Sequence, residues 1–171
     1  MKTSVLVTAV AGSGKTTVCQ TLQQLGYRAC DLEAIDGLYE LVDERTGQVI
    51  PGGRDQITEG LDWNCQKAGL QALLQAAPDQ PTFYCGGMAN TEDVWEVFDA
   101  VVVLTVSDAT TAARLATRRP NEFGGTPENR EWVLSWKHRV EQDWLDRGGI
   151  AVSAEPSPEV VARHIVAAVL P

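Results

Sequence analysis

A β-branched apolar run, Ser4-Val5-Leu6-Val7-Thr8-Ala9-Val10, leads directly into Ala11-Gly12-Ser13-Gly14-Lys15-Thr16-Thr17. No other feature constrains the chain as much, because a strand, a tight turn and a helix must follow one another within a few residues. Successive backbone N–H groups can curl around an anion only where side chains are small, which suits Gly12 and Gly14. Lys15 then brings a point charge to the β and γ phosphates of a nucleotide, and the Thr16 hydroxyl is placed to ligate magnesium. Residues Ala11 to Thr17 are therefore the expected binding site for the phosphates of a nucleotide with Mg2+. The usual spacing puts glycine at position 9, where this chain has Ala9. The alternative, an exposed Gly-Ser-Gly linker, is disfavoured by the strand and helix patterns on either side.

The 171 residues, 44% of them hydrophobic, suffice for a single domain with its own core, expected over 1–171. A formal net charge of −9, with no basic cluster interleaved with aromatics, argues against a nucleic-acid partner. A small phosphorylated ligand in a local basic pocket remains compatible. Cys19, Cys30, Cys65 and Cys85 show no C-x-x-C spacing and read as buried reduced thiols. The apolar run near the N-terminus is too short for an export signal, and none approaches the ~20 residues of a bilayer span. The expectation is a cytoplasmic protein with no membrane partner, monomeric or homodimeric.

Five short apolar runs read as strands: Thr3–Val10, Tyr27–Asp31, Pro81–Cys85, Ala100–Val106 and Gly149–Val152. Helical patterns separate them, over Lys15–Leu25, Gln56–Ala77, Glu92–Phe98, Ala109–Arg119, Pro127–Arg147 and Pro158–Leu170. This alternation predicts an α/β fold with a parallel sheet. Asp108 is expected to cap the Ala109 helix, and Thr126-Pro127-Glu128 reads as another helix start. Thr46–Gly60, rich in glycine, reads as a mobile loop between helices. Trp132, Trp136, Val140 and Trp144 share one helix face, a pattern of packing rather than base stacking.

Ligand loops sit at the carboxyl ends of parallel strands, so the residues after each run are the candidates. Asp31 ends the second strand and is expected to accept a hydroxyl proton or orient magnesium-bound water; its alternative role is N-cap of a Leu32–Leu41 helix. Glu33 and Asp36 read as solvated first-turn residues. Arg118 and Arg119 are expected to meet phosphate oxygens, the alternative being a favourable helix C-terminus. Gly86 and Gly87, after the third strand, permit close approach to substrate. Asn90 either orients an acceptor group or caps the following helix, and Arg54 either pairs with an anionic acceptor or lies on the surface. Trp63 and Trp95 either line an acceptor pocket or complete the core. His138 and His164 lie far from any nucleophile, and no cysteine–histidine cluster has zinc spacing.

Taken together, these motifs resemble the small P-loop kinases of the nucleoside monophosphate kinase and shikimate kinase type, over nearly the whole chain. Ala11–Thr17 looks like their phosphate loop, Gly26 to Asp31 like their second strand, Cys85-Gly86-Gly87 like their acceptor loop, and Arg114 to Pro120 like their lid arm. Closer still is a group of bacterial AAA-type ATP-binding proteins with a Thr-Arg, Asn, Phe/Tyr-Gly, Thr-Pro-Glu lid, here Thr117 to Glu128. The resemblance implies a three-layer α/β/α fold with a five-stranded parallel sheet in the order 2-3-1-4-5. It also implies a lid at about 114–130 and an acceptor-binding insertion at about 35–64. Arg114 would lie against the base, with Ala154 and Pro156 on its other side. The insertion departs from shikimate kinase, whose acceptor-binding arginines have no match here beyond Arg54.

The leading expectation is an ATP-dependent phosphotransferase, moving the γ-phosphate to a hydroxyl or phosphate of a small metabolite. The alternative is a nucleotide-dependent regulatory module with slow ATPase activity. A GTP switch is weaker, because Thr105-Val106-Ser107-Asp108 lacks the Asn-Lys-x-Asp pattern of guanine readers.

Overall fold

The computed structural model describes residues 3–170. Strand β1 (Ser4–Thr8) is buried at every position, as a central parallel strand covered on both faces must be. It pairs with β6 (Thr82–Cys85) on one side and β7 (Ala100–Thr105) on the other; β2 (Arg28–Asp31) and β8 (Ile150–Ser153) complete the sheet. The order is β2-β6-β1-β7-β8, all parallel. Counting only these five strands along the chain, this is the expected 2-3-1-4-5.

Side chains alternate across the sheet and so build two cores. Val5 and Val7 point to one face, where they meet Val18 and Leu22 of α1 (Lys15–Gln24) and Val161 and Ile165 of α6 (Pro158–Val169). Leu6 points to the other, with Leu70 and Leu74 of α2 (Lys67–Ala76) and Val94 of α3 (Thr91–Val94). A third cluster joins Val103 to Leu115 of α4 (Asp108–Ala116) and to Val133 and Trp144 of α5 (Pro127–Asp146). Trp132, Trp136 and Val140 pack against it, so the tryptophan stripe is packing. Thr126 caps α5 as expected, accepting from the Asn129 N–H, whereas the cap of α4 is Ser107, accepting from Thr110, and not Asp108.

The largest departure lies between Asp31 and Lys67. Instead of a Leu32–Leu41 helix there is one short helical turn, Leu32–Ala34; the expected Gln56–Ala77 helix begins only at Lys67, and the strand Leu61–Cys65 lies within its front half. Strands β3 (Tyr39–Asp43), β4 (Val49–Ile50) and β5 (Leu61–Cys65) form a separate antiparallel sheet in the order β4-β3-β5. The expected loop Thr46–Gly60 thus contains a strand. Tyr39 and Leu41 alternate with Glu40 and Val42, a period-two pattern too short to outweigh the neighbouring helical signals. Gly37, Gly47 and Gly60, at φ of 73°, 69° and 85°, interrupt any helix and place the turns.

Lys137, only 1% exposed, donates to Glu141 Oε2 at 2.9 Å, one helical turn away between α5 and its neighbours. Glu141 Oε1 has no partner among the described residues. Lys137→Ala should therefore leave a buried carboxylate uncompensated and cost about 3–5 kcal/mol in urea unfolding, while Lys137→Met together with Glu141→Leu costs far less.

All four cysteines are free thiols; Cys19, Cys65 and Cys85 are buried, and Cys30 is half-buried. No helix among the described residues is long and apolar enough to cross a membrane.

Candidate active site

Parallel register brings the strand ends to one level: Val7 lies opposite Cys85, and Asp31 opposite Cys85 from the other side. The segments leaving β1, β2 and β6 therefore converge. Gly12 and Gly14 take φ of 85° and 90°, the left-handed region that lets the loop fold back. Ala9 sits where no positive φ is needed, since none of the described non-glycine residues has one. Its carbonyl accepts from Lys15 Nζ at 2.8 Å.

Lys15 is 9% exposed, and burial lowers its pKa to about 8; Arg54 and Arg118 act in the same direction, while Glu33 and Asp31 oppose. Against it lies Gly87, where a Cβ would approach Lys15 Nζ to 3.2 Å. The Gly87 N–H donates to Glu33 Oε1 at 2.9 Å, and Glu33 Oε2 pairs with Arg54 Nη1 at 2.5 Å. Glu33, 9% exposed, is thus a buried member of this cluster and not the solvated first-turn residue expected from the sequence. The available signal was the Asp31-x-Glu33 spacing just past a strand end. Asp31 Oδ1 accepts from the Glu33 N–H at 3.1 Å, so Asp31 caps the turn that aims Glu33 inward.

Arg118 and Arg119 part company. Arg118 turns inward, donating to the Phe123 carbonyl, and burial with nearby Arg54 lowers its pKa; the Arg119 side chain is exposed. Arg114 ties two loops together, donating to Ser13 O at 3.2 Å and Ala154 O at 3.0 Å. A cleft of about 380 Å³ opens beside it, lined by Gly12, Ser13, Gly14, Thr17, Arg114, Arg118, Ala154 and Pro156 among others. Another, of about 410 Å³, lies beside the edge strand β2 and includes no phosphate-loop residue. Thr16 is exposed at the start of α1.

Of the two roles expected for Asn90, the structure contradicts the cap. Its side chain does not cap α3; it accepts from the Cys65 N–H at 2.9 Å and donates to the Cys65 carbonyl at 3.0 Å, clamping β5 to the loop after β6. Asn90→Ala would leave both backbone groups unpaired and is expected to cost about 1–3 kcal/mol, read by chemical denaturation.

The nucleotide groups fit what is present. The loop has a glycine turn, a buried Ser13 hydroxyl without a partner among the described residues, and an open cleft beside it. No cluster of three or more potential metal-ligating side chains exists among the described residues, so magnesium would be held jointly with phosphate oxygens.

The parallel sheet, its order and the phosphate loop define the three-layer fold of P-loop small-molecule kinases. The chain belongs to the AAA domain family, whose model matches residues 5–134. Among solved structures it is similar to a shikimate kinase from Acinetobacter baumannii in complex with shikimate, with TM-score 0.60 and 16% identity, covering 98% of this chain and 93% of that one. A gluconokinase from Sinorhizobium meliloti 1021 gives TM-score 0.51 and 18% identity over 97% and 90% of the two chains. A deoxyadenosine kinase from M. mycoides gives TM-score 0.53 and 14% identity over 96% and 97%. At these identities the likeness is one of fold. A search of the curated proteins finds no match.

Proposed function

We propose that the protein transfers the γ-phosphoryl group of ATP to a small-molecule acceptor. The observation that carries this reading is the convergence of Lys15, the Gly87 backbone and the Glu33 carboxylate at one point. There a phosphate-loop cation meets a base on the opposite wall. The kinase activities named for the similar structures support it.

ATP with magnesium supplies the electrophilic phosphoryl group. Residues Ala11 to Thr17 bind its phosphates through backbone N–H groups, Lys15 adds charge, and the Thr16 hydroxyl and Asp31 carboxylate are the oxygen donors for the metal. Arg114, Ala154 and Pro156 enclose the base. Arg118, on the arm leading into the 114–130 lid, stabilises charge spreading between donor and acceptor; Arg119 is too exposed for that task in this conformation. Glu33 takes the acceptor proton, a role the sequence had pointed to Asp31 for. Gly86 and Gly87 admit the acceptor between the loop after β6 and the insertion at 35–64.

The test is ATP consumption with magnesium against a panel of nucleosides, nucleotides, sugars, hydroxy acids and amino alcohols, with product detected by mass. One phosphorylated product with stimulated turnover supports the reading. ATP hydrolysis unaffected by every acceptor favours the regulatory module instead.

A further inference from the structure

The acceptor side of the site has an unusual balance of charge for a kinase whose donor is a polyanion. Residues 35–64 carry seven carboxylates against two guanidinium groups, a net charge of −5. One of those guanidinium groups, Arg54, is already engaged by Glu33. Lys15 and Arg118 lie with the phosphate loop and lid, where the donor's charge requires them. An acceptor bearing its own carboxylate or phosphate would enter a negative field in which Arg54, the guanidinium that reaches Glu33, is already paired.

What this wall does offer is neutral. Tyr39 of β3 stacks on Trp63 of β5, with ring centroids 5.4 Å apart and planes 15° from parallel. The Tyr39 hydroxyl lies against the acceptor loop, where a Cβ on Gly86 would come within 2.7 Å of it. Tyr39 is 9% exposed, and its hydroxyl has no partner among the described residues. Trp63 Nε1 and Asn64 Oδ1 are likewise buried and without partners. Buried polar groups left unpaired in the free protein are what a site presents when a ligand's hydroxyls complete them.

We propose that the acceptor is an uncharged or amine-bearing alcohol, without carboxylate or phosphate, whose hydroxyls meet Tyr39 and whose apolar face lies on the Tyr39–Trp63 pair. This rests on the phosphotransfer reading above. In the reaction the acceptor oxygen forms a bond to the γ-phosphorus, its proton passes to Glu33, and the bond from that phosphorus to the bridging oxygen breaks. ADP leaves with that electron pair.

The experiment measures kcat/KM for matched acceptors differing in charge: a nucleoside and its monophosphate, glucitol and gluconate, an aminocyclitol and a hydroxycyclohexane carboxylate. ATP binding is measured separately by calorimetry. The uncharged or cationic member of the productive pair should be favoured by roughly tenfold or more, as expected where one member leaves polar or charged groups unpaired. Tyr39→Phe, nearly isosteric, should raise the acceptor KM about tenfold while leaving the ATP Kd and the unfolding midpoint in place. Preference for the anionic member overturns the proposal and leaves the kinase reading intact. Bound ATP with no member phosphorylated overturns both, and an unchanged KM in Tyr39→Phe removes the contact assigned to that hydroxyl.

Discussion

Lys15→Ala should lower acceptor-dependent phosphotransfer by roughly 10²–10³-fold, the loss expected when one preorganised group facing the developing charge is removed. The variant should still fold, because the ammonium is a burden on the free protein and not a support. Burial brings the Lys15 pKa from 10.5 down to about 8. Between those pH values the unfolded chain holds the proton more tightly than the folded one. Lys15 therefore contributes stability that rises with pH from 8 to 10.5, and below pH 8 the buried charge opposes folding by about 3 kcal/mol. Polyphosphate reverses that preference by giving the ammonium its counter-charge. ATP binding near pH 8–9 should then take up a proton, read by calorimetry in buffers of different ionisation enthalpy. Lys15→Ala should abolish the uptake and flatten the pH dependence of unfolding. Uptake that survives in the variant would assign the proton elsewhere.

Glu33→Gln should reduce kcat by roughly 10²–10⁴-fold, the range for loss of a positioned general base. ATP affinity should change little. Glutamine keeps a carbonyl oxygen for the Gly87 N–H, so the loop after β6 stays in place, but it cannot take a proton. A second effect follows from charge. Glu33 favours the protonated form of Lys15, so its neutralisation should move the Lys15 pKa further down. The alkaline limb of the pH–rate profile should shift to lower pH in Glu33→Gln. Asp31→Asn, by contrast, should weaken the turn through its cap to Glu33 and act on kcat less directly. If Asp31→Asn proved much the more damaging of the two at unchanged stability and unchanged magnesium dependence, the base would be Asp31.

The five parallel strands and the phosphate loop were legible along the chain because each is a local demand. A β-branched run buried on two faces needs no polar alternation, and a turn with left-handed residues needs glycine at those points. The antiparallel sheet was not legible, because β3 and β5 alternate over only five residues each and gain their strand character from pairing with one another. Arg118 and Arg119 are adjacent and chemically equal in sequence; only the path of the chain after α4 turns one inward to Phe123 and the other to solvent. Asn90 and Cys65 are 25 residues apart, and Glu33 and Gly87 are 54 apart. By itself, then, the sequence determined a strand, a glycine turn of phosphate-loop type over Ala11 to Thr17 and a helix, set on a wound parallel sheet. The tertiary structure decided that Glu33 and Lys15 meet at Gly87 and that Tyr39 stacks on Trp63 beside Gly86, because those contacts exist only once distant segments close on one another and exclude water.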